Sequence, residues 1–349
     1  MYKVAMIGWG MSAKTFHLPY IEANEAFQLA AIVTTQQEAC KTRYPNVAPL
    51  ASIEDVIARG DIDMAVVATP NAMHFKQCMQ LLSAGIHVVV DKPATLTADE
   101  AFSLFLTARA SGVWLAVFHN RRWDGDFLGL QDAIASGQVG VPRLFTSHFD
   151  RFRPLPRDRW REHDIEGAGI WFDLGPHLVD QALCLFGRPD SISASLRKLR
   201  DGAQSVDYAA VTLHYPALEV VLRSSPYCCD PALRFQLETD RGTWRSFGLD
   251  PQEEQLKTGM SPGDIAWRTT LPSKHAVWTD LESGEQLVAL PPGDYGAFYR
   301  RIAWALAGEG QSALAVTAQQ AIDVATVIET AIAAAEKSRD MAPRWQLFN

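Results

Sequence analysis

Tyr2-Lys3-Val4-Ala5-Met6-Ile7-Gly8-Trp9-Gly10-Met11-Ser12-Ala13 opens the chain as a short apolar run that ends in the spacing Gly-x-Gly-x-x-Ala. Gly8 permits a tight turn, Gly10 lets backbone approach a bound group, and small Ala13 lets a following helix pack close to the strand. The first amides of such a helix point at the loop and suit phosphate. Glycines at this spacing also mark simple turns. Here the loop follows a strand, opens a helix and begins a βαβ unit, so Gly8, Gly10, Met11, Ser12 and Ala13 are expected to hold a dinucleotide pyrophosphate.

Outward from the loop, apolar runs alternate with amphipathic stretches up to Asn120, the pattern of a parallel sheet with crossover helices. Strands are predicted at Tyr2 to Gly8, Phe27 to Thr34, Val47 to Leu50, Met64 to Thr69, His87 to Asp91 and Trp114 to His119. Helices are predicted at Ala72 to Ala84 and Ala98 to Ala110, each followed by a C-capping glycine, Gly85 or Gly112. This order predicts a doubly wound Rossmann sheet over residues 1–121. Over 122–349 the pattern changes to α+β. A helix runs through Ser136, and a Gly167/Gly169 turn leads into a helix ending near Phe186. Strands then follow at Arg143 to Arg151, Ser191 to Leu199, Tyr208 to Tyr215, Glu219 to Ser225, Arg234 to Thr239 and Gly242 to Phe247, mainly antiparallel. Asp250 to Pro292 reads as irregular, and helices at Tyr295 to Ala307 and Thr317 to Ser338 close the chain.

At 349 residues the chain exceeds the size at which one core stops growing, so two domains are expected. The formal charge of -8 argues against nucleic acid and anionic lipid as partners. The densest basic run, Arg151, Arg153, Arg157, Arg159 and Arg161, is interleaved with Asp150, Asp158, Glu162, Asp164 and Glu166 and reads as an ion-pair network. Five scattered cysteines without metal-ligand spacing point to a reducing compartment and no metal site. With no leader pattern and no long apolar run, the expected address is the cytoplasm, with no membrane partner.

The second strand ends in Val33-Thr34-Thr35-Gln36, where a ribose-binding carboxylate usually stands. Its absence, with hydroxyls at Thr34 and Thr35, favours NADP, with NAD as the alternative. Lys14, Lys41 and Arg43 are candidate charges for a 2′-phosphate, or plain surface residues. Ligands in such sheets gather at the carboxyl ends of strands, which here carry Thr69-Pro70-Asn71 with His74, and Asp91-Lys92-Pro93. Asn71 also suits a helix N-cap. Lys92 at a strand end is placed to hold or polarise a substrate oxygen. In the second half, Asp173, His177 and Asp180 fall at i, i+4 and i+7 on one helical face. A His with a carboxylate one turn away suits proton transfer near neutral pH; the plainer reading is a helix cap and a buried, satisfied histidine.

Together these motifs resemble the Gfo/Idh/MocA oxidoreductase family, over nearly the whole chain. Asp91-Lys92-Pro93 stands in place of the family's Glu-Lys-Pro, and Asp173-x-x-x-His177 matches its helical pair. The stretches VFHNRRWDGDF, SHFDRFRP, RDRWRE and GIWFDLGPHLVDQALCLFG resemble the NADP-using scyllo-inositol dehydrogenase subgroup. The resemblance implies that Lys92, Asp173 and His177 carry the chemistry, with Asp173 orienting His177, and that Asp180 meets substrate hydroxyls. Asn120, Arg122 and Trp123, at the domain junction, shape the substrate site or pin the interface. It also implies hydride transfer between a nicotinamide and a hydroxyl or keto carbon of a polyol or sugar, and a homodimer or higher oligomer through a large open antiparallel sheet. A carbonyl or imine reductase of biliverdin-like type, or a cofactor-binding sensor without turnover, are the alternatives.

Overall fold

Val4 and Met6 on the first strand, β1 (Tyr2–Ile7), enter one apolar core and Ala5 and Ile7 another, each essentially fully buried. Successive strand residues face opposite sides, so a strand covered on both faces must be apolar throughout. The computed structural model describes residues 1–229, 233–262, 264, 267, 275–337 and 343–348. In it β1 joins β2 (Phe27–Val33), β3 (Ala48–Leu50), β4 (Met64–Val67), β5 (His87–Val90) and β6 (Leu115–Val117). All pairs are parallel, in the order β3-β2-β1-β4-β5-β6. The order reverses between β1 and β4, which puts the switch-point crevice beside the glycine loop.

The second sheet has eight strands: β7 (Pro142–His148), β8 (Ser191–Arg197), β9 (Tyr208–Tyr215), β10 (Leu218–Ser224), β11 (Leu233–Thr239), β12 (Gly242–Phe247), β13 (His275–Asp280) and β14 (Gly284–Ala289). Its order is β14-β13-β12-β11-β7-β10-β9-β8, antiparallel except where β10 runs parallel to β7. The chain is thus α/β in its first part and α+β in its second.

The stretch expected to be irregular contains both a helix, Gln252–Lys257, and the β13–β14 hairpin. β14 is an edge strand with no buried residue, so it has no apolar face to announce it in the sequence. Part of that stretch, 263, 265–266 and 268–274, lies outside the described residues, as does Ser338, the expected end of the last helix.

Both closing helices return to the first sheet. Tyr295, Phe298, Tyr299 and Ile302, at and in helix Gly296–Trp304, pack in the core with Val4 and Met6. Helix Ala318–Lys337 inserts Ala318, Ala321 and Ile322 into the other core of that sheet. One turn on, Val324, Val327, Ile328 and Ala331 enter the core beneath the second sheet. Burying Ile322, Val324, Val327 and Ile328 is worth roughly 1.5–3 kcal/mol each, so this single rod fastens the two sheets together. Among the described residues no helix is long and apolar enough to cross a membrane.

Candidate active site

The glycine loop follows β1 directly. Gly8 has φ +94°, and a Cβ there would stand 2.9 Å from the Ala68 carbonyl oxygen, so this position demands glycine for the fold itself. Gly10 differs: a Cβ there would meet nothing within 4 Å. No described residue fills the space beside Gly10, which fits a loop kept clear for a pyrophosphate. The helix begins widened, with Ala13–His17 as a π turn, and Ala13 is fully buried. At the end of β2, Thr34 Oγ accepts from the Gln36 amide at 3.0 Å and Thr35 is exposed. Lys14 lies 3.9 Å over the Trp9 ring.

Turns after β4 and β5 are tied by His74, whose Nδ1 lies 2.8 Å from the Pro93 carbonyl and Nε2 2.9 Å from that of Thr69. Burial lowers its pKa below the ordinary imidazole range. Thr69 donates to Gln77 at 2.6 Å, and Asn71 Nδ2 donates to the Gly167 carbonyl at 2.8 Å, joining the two halves of the chain. Pro70 leads into the short helical turn Asn71–Met73. Asp91 accepts from the Lys92 amide at 2.8 Å and from Ser12 of the glycine loop. Burial pushes its carboxyl up, but His17, Lys92 and Ser12 outweigh that and hold it well below the usual carboxylate range. The loop and the lysine turn are thereby coupled through one carboxylate.

From the second half, helix Ile170–Phe186 brings Asp173 and His177. Lys92 Nζ donates to the Asp173 carbonyl at 2.6 Å and lies 3.4 Å from its carboxylate, which also has Arg161 at 3.4 Å. Against burial, these cations keep the Asp173 carboxyl below its ordinary pKa. The Asp173 side chain is therefore a partner of Lys92 and Arg161, and no side-chain hydrogen bond joins it to the His177 ring. His177 is 6 % exposed, and its Nδ1 has no hydrogen-bond partner among the described residues. Burial first, then the charges of Lys92 and Arg121, pushes its pKa well below 6.5, so the ring is neutral at physiological pH and able to accept a proton.

Met11, Ser12, Asp91, Lys92, Asn120, Asp173 and His177 line one open cavity of about 200 Å³. Asp180 does not line it: both carboxylate oxygens are taken by Arg122, at 2.7 and 2.9 Å, and Arg122 also donates to the Ala315 carbonyl at 2.7 Å. Trp123 packs edge-on against Phe298, and its carbonyl accepts from the Asp294 amide at 2.9 Å.

Three further groups belong to this region. Arg121 lines the cavity and binds Glu253 at 2.5 Å. Arg161 meets Asp173 as above. His119, fully enclosed beyond β6, has its pKa lowered to about 4 by burial. Arg161 stood within the basic run, whose expected ion-pair network forms only in part. Glu162 takes Arg159 and Arg200, while Asp150 turns to His148 and Arg223, and Asp158 to His163. Alternating charges in a loop do not say which partners the backbone brings into reach.

A Rossmann sheet whose glycine loop, strand-end lysine and buried neutral histidine share one cavity defines a dinucleotide-dependent oxidoreductase. Residues 2–119 match the family model described as "Oxidoreductase family, NAD-binding Rossmann fold", and residues 127–245 the GFO/IDH/MocA C-terminal domain. The chain belongs to the Gfo/Idh/MocA oxidoreductase family. It is 42% identical over 337 residues to the uncharacterized oxidoreductase YdgJ of Escherichia coli, covering 96% of each chain. It is 33% identical over 340 residues to scyllo-inositol 2-dehydrogenase (NADP(+)) IolW of Bacillus subtilis, covering 97% of this chain and 94% of IolW. The solved structure of the yvaA oxidoreductase of Bacillus subtilis superposes with a TM-score of 0.92 at 32% identity, covering 98% of both chains.

Proposed function

We propose that this enzyme oxidises a ring hydroxyl of a polyol or sugar, or reduces the matching ketone, with NADP(H) preferred to NAD(H). The observation that carries the reading is the meeting of Lys92 and His177 with Met11 and Ser12 of the glycine loop in one cavity. Gly8, Gly10, Met11, Ser12 and Ala13 would hold the pyrophosphate, with Thr34 and Thr35 beside the adenosine ribose. Thr69, Pro70, Asn71 and His74 would form the adjoining wall. The bound nicotinamide supplies the hydride acceptor or donor.

Lys92, fixed by the Asp173 carbonyl, holds the reacting oxygen and lowers the cost of its developing negative charge. Neutral His177 takes the hydroxyl proton during oxidation and returns it during reduction. Asp173 acts through Lys92, compensating its charge and fixing its approach. Asn120 contacts substrate from the junction, while Arg122, Asp180 and Trp123 hold the wall behind it. Absence of a carboxylate at the end of β2 supports NADP, as does the similarity to IolW, an NADP(+) enzyme. The same reading includes self-association through the outer face of the second sheet, and a reducing compartment, in keeping with cysteines that carry no metal-ligand spacing.

Absorbance in the reduced-nicotinamide band, with NADP or NAD paired in turn with inositols, aldoses and deoxy sugars, tests the reading. Turnover with one polyol and NADP is expected. Retained NADP binding without turnover across the panel would revive the sensor alternative.

A further inference from the structure

Arg151, Arg153 and Arg157 line the cavity that holds Lys92 and His177, and none of the three has an ion pair among the described residues. Four of the carboxylates near them in sequence, Asp150, Asp158, Glu162 and Asp173, are committed elsewhere. Asp150 is held by the Ser225 amide, His148 and Arg223, and exposed Asp158 by His163. Glu162 is held by Arg159 and Arg200, and Asp173 by Lys92 and Arg161. Eight Lys and Arg side chains line this cavity against three Asp and Glu. Arg153 registers the crowding: burial, then Arg151, Arg157 and Arg159, push its pKa down to about 10.

Clustered guanidinium groups in excess of their counter-charges repel one another; Glu253 and Asp173 offset Arg151, and Glu162 offsets Arg153, only in part, and an arrangement of this kind is stabilised by a ligand that brings further negative charge. Their planar forks match the paired oxygens of a carboxylate or phosphate. All three arginines share the first cavity with Met11 and Ser12 of the glycine loop, but two of them also reach beyond it. Arg151 and Arg153 also line an adjoining cavity formed by Gly169, Ser205 to Asp207 and Ser224 to Pro226, to which no residue of the glycine loop contributes. Arg151 and Arg153 therefore extend to the second-domain side of Lys92 and His177, where substrate, and not the dinucleotide phosphates, would lie.

We propose that Arg151, Arg153 and Arg157 receive an oxyanion carried by the substrate, so that the polyol or sugar turned over is an acidic one, bearing a carboxylate or a phosphate. This rests on the dehydrogenase reading above and narrows its substrate class.

The test compares kcat/KM of the NADP-supplied enzyme on matched compounds: glucose with glucuronate and glucose 6-phosphate, and myo-inositol with its monophosphate. An acidic member is expected to exceed its neutral counterpart by about tenfold or more, the worth of one charge-assisted contact, with the margin shrinking as salt rises. The carboxylate and phosphate arms identify which oxyanion is bound. Arg153→Gln and Arg157→Gln, checked for an unchanged melting temperature, should each cut the acidic-to-neutral ratio by about tenfold. Equal turnover of neutral and acidic members overturns the proposal. So does a variant that weakens NADP binding and leaves the ratio unmoved, since the cofactor is then the anion. If no compound is turned over, calorimetric titration of the NADP-loaded protein with the same acidic compounds decides. Binding that Arg153→Gln abolishes upholds the anion site while the dehydrogenase reading falls; absence of binding overturns the anion site as well.

Discussion

The Lys92 ammonium donates to the main-chain carbonyl of Asp173 at 2.6 Å and lies farther, at 3.4 Å, from the Asp173 carboxylate. The end of β5 is thus latched to the first turn of helix Ile170–Phe186, and the shorter contact is with backbone. Lys92→Met should lower kcat by about 10²–10⁴, the usual worth of a positioned acid–base group, with NADP still bound. Asp173→Asn keeps the carbonyl contact and should cost less, about tenfold. Steady-state kinetics beside fluorescence titration of NADPH measures both. A Lys92→Met enzyme with near-normal kcat removes Lys92 from the chemistry.

Gly10 and Gly8 separate folding from binding. A Cβ at Gly10 meets no atom of a described residue within 4 Å, whereas one at Gly8 comes within 2.9 Å of a carbonyl oxygen at φ +94°. Gly10→Ala should keep its melting temperature and lose at least about tenfold in NADP affinity, a contact penalty near 1.4 kcal/mol. Gly8→Ala should lower stability by about 1–3 kcal/mol through backbone strain. Unchanged NADP affinity in Gly10→Ala would mean that the pyrophosphate does not approach this loop.

Buried histidines set the response to acid. His177 is held neutral with a pKa well below 6.5, so kcat/KM for oxidation should stay on its plateau as pH falls through 6.5 and decline only below it. A decline centred at or above 6.5 would show that His177 is not the base. His119 has a folded pKa near 4 against an ordinary 6.5, so the unfolded chain binds its proton first. The stability it contributes is complete above pH 6.5 and drains away as pH falls towards 4, roughly 3 kcal/mol in all. Melting curves across that interval should show a shallower decline in His119→Asn than in the parent.

Arg122 and Asp180 form a buried pair with two short contacts, 2.7 and 2.9 Å, and Asp180 is 2 % exposed. Removing one partner strands the other charge, which costs about 3–5 kcal/mol. Asp180→Asn and Arg122→Met should each lower the melting temperature, and the double variant should recover part of the loss. A stable Asp180→Asn enzyme whose only defect is a raised KM would instead make Asp180 a direct substrate contact.

Much of the first sheet was legible because its strands are covered on both faces and its loop glycines have separable jobs. The predicted strands overrun β1, β2, β4, β5 and β6 by one or two residues, ending at Gly8, Thr34, Thr69, Asp91 and His119, because these residues belong to the turns that follow, and they begin one residue early at β3 and β6. Asp91, Lys92, Asp173 and His177 were also visible as residue types at strand ends and at helical spacing. Their partners were not. Helical spacing places Asp173 and His177 on one face but does not say which faces them across the cleft, and it is Lys92 and Arg161 that reach the carboxylate. The hairpin β13–β14 escaped because an exposed edge strand has no apolar alternation to reveal it.

By itself, then, the sequence determined what local periodicity and stereochemistry control: the parallel sheet, the glycine turn after β1, and the residue types able to bind a dinucleotide and move a proton. Tertiary structure alone decided the pairings over long chain distances: Lys92 with Asp173, Arg122 with Asp180, Ser12 with Asp91, and the closing helices with the first sheet. Charge attraction and burial carry no fixed period along a chain. Which carboxylate neutralises which cation, and which arginines are left facing a cavity without one, is settled only when packing brings distant segments within a few ångströms.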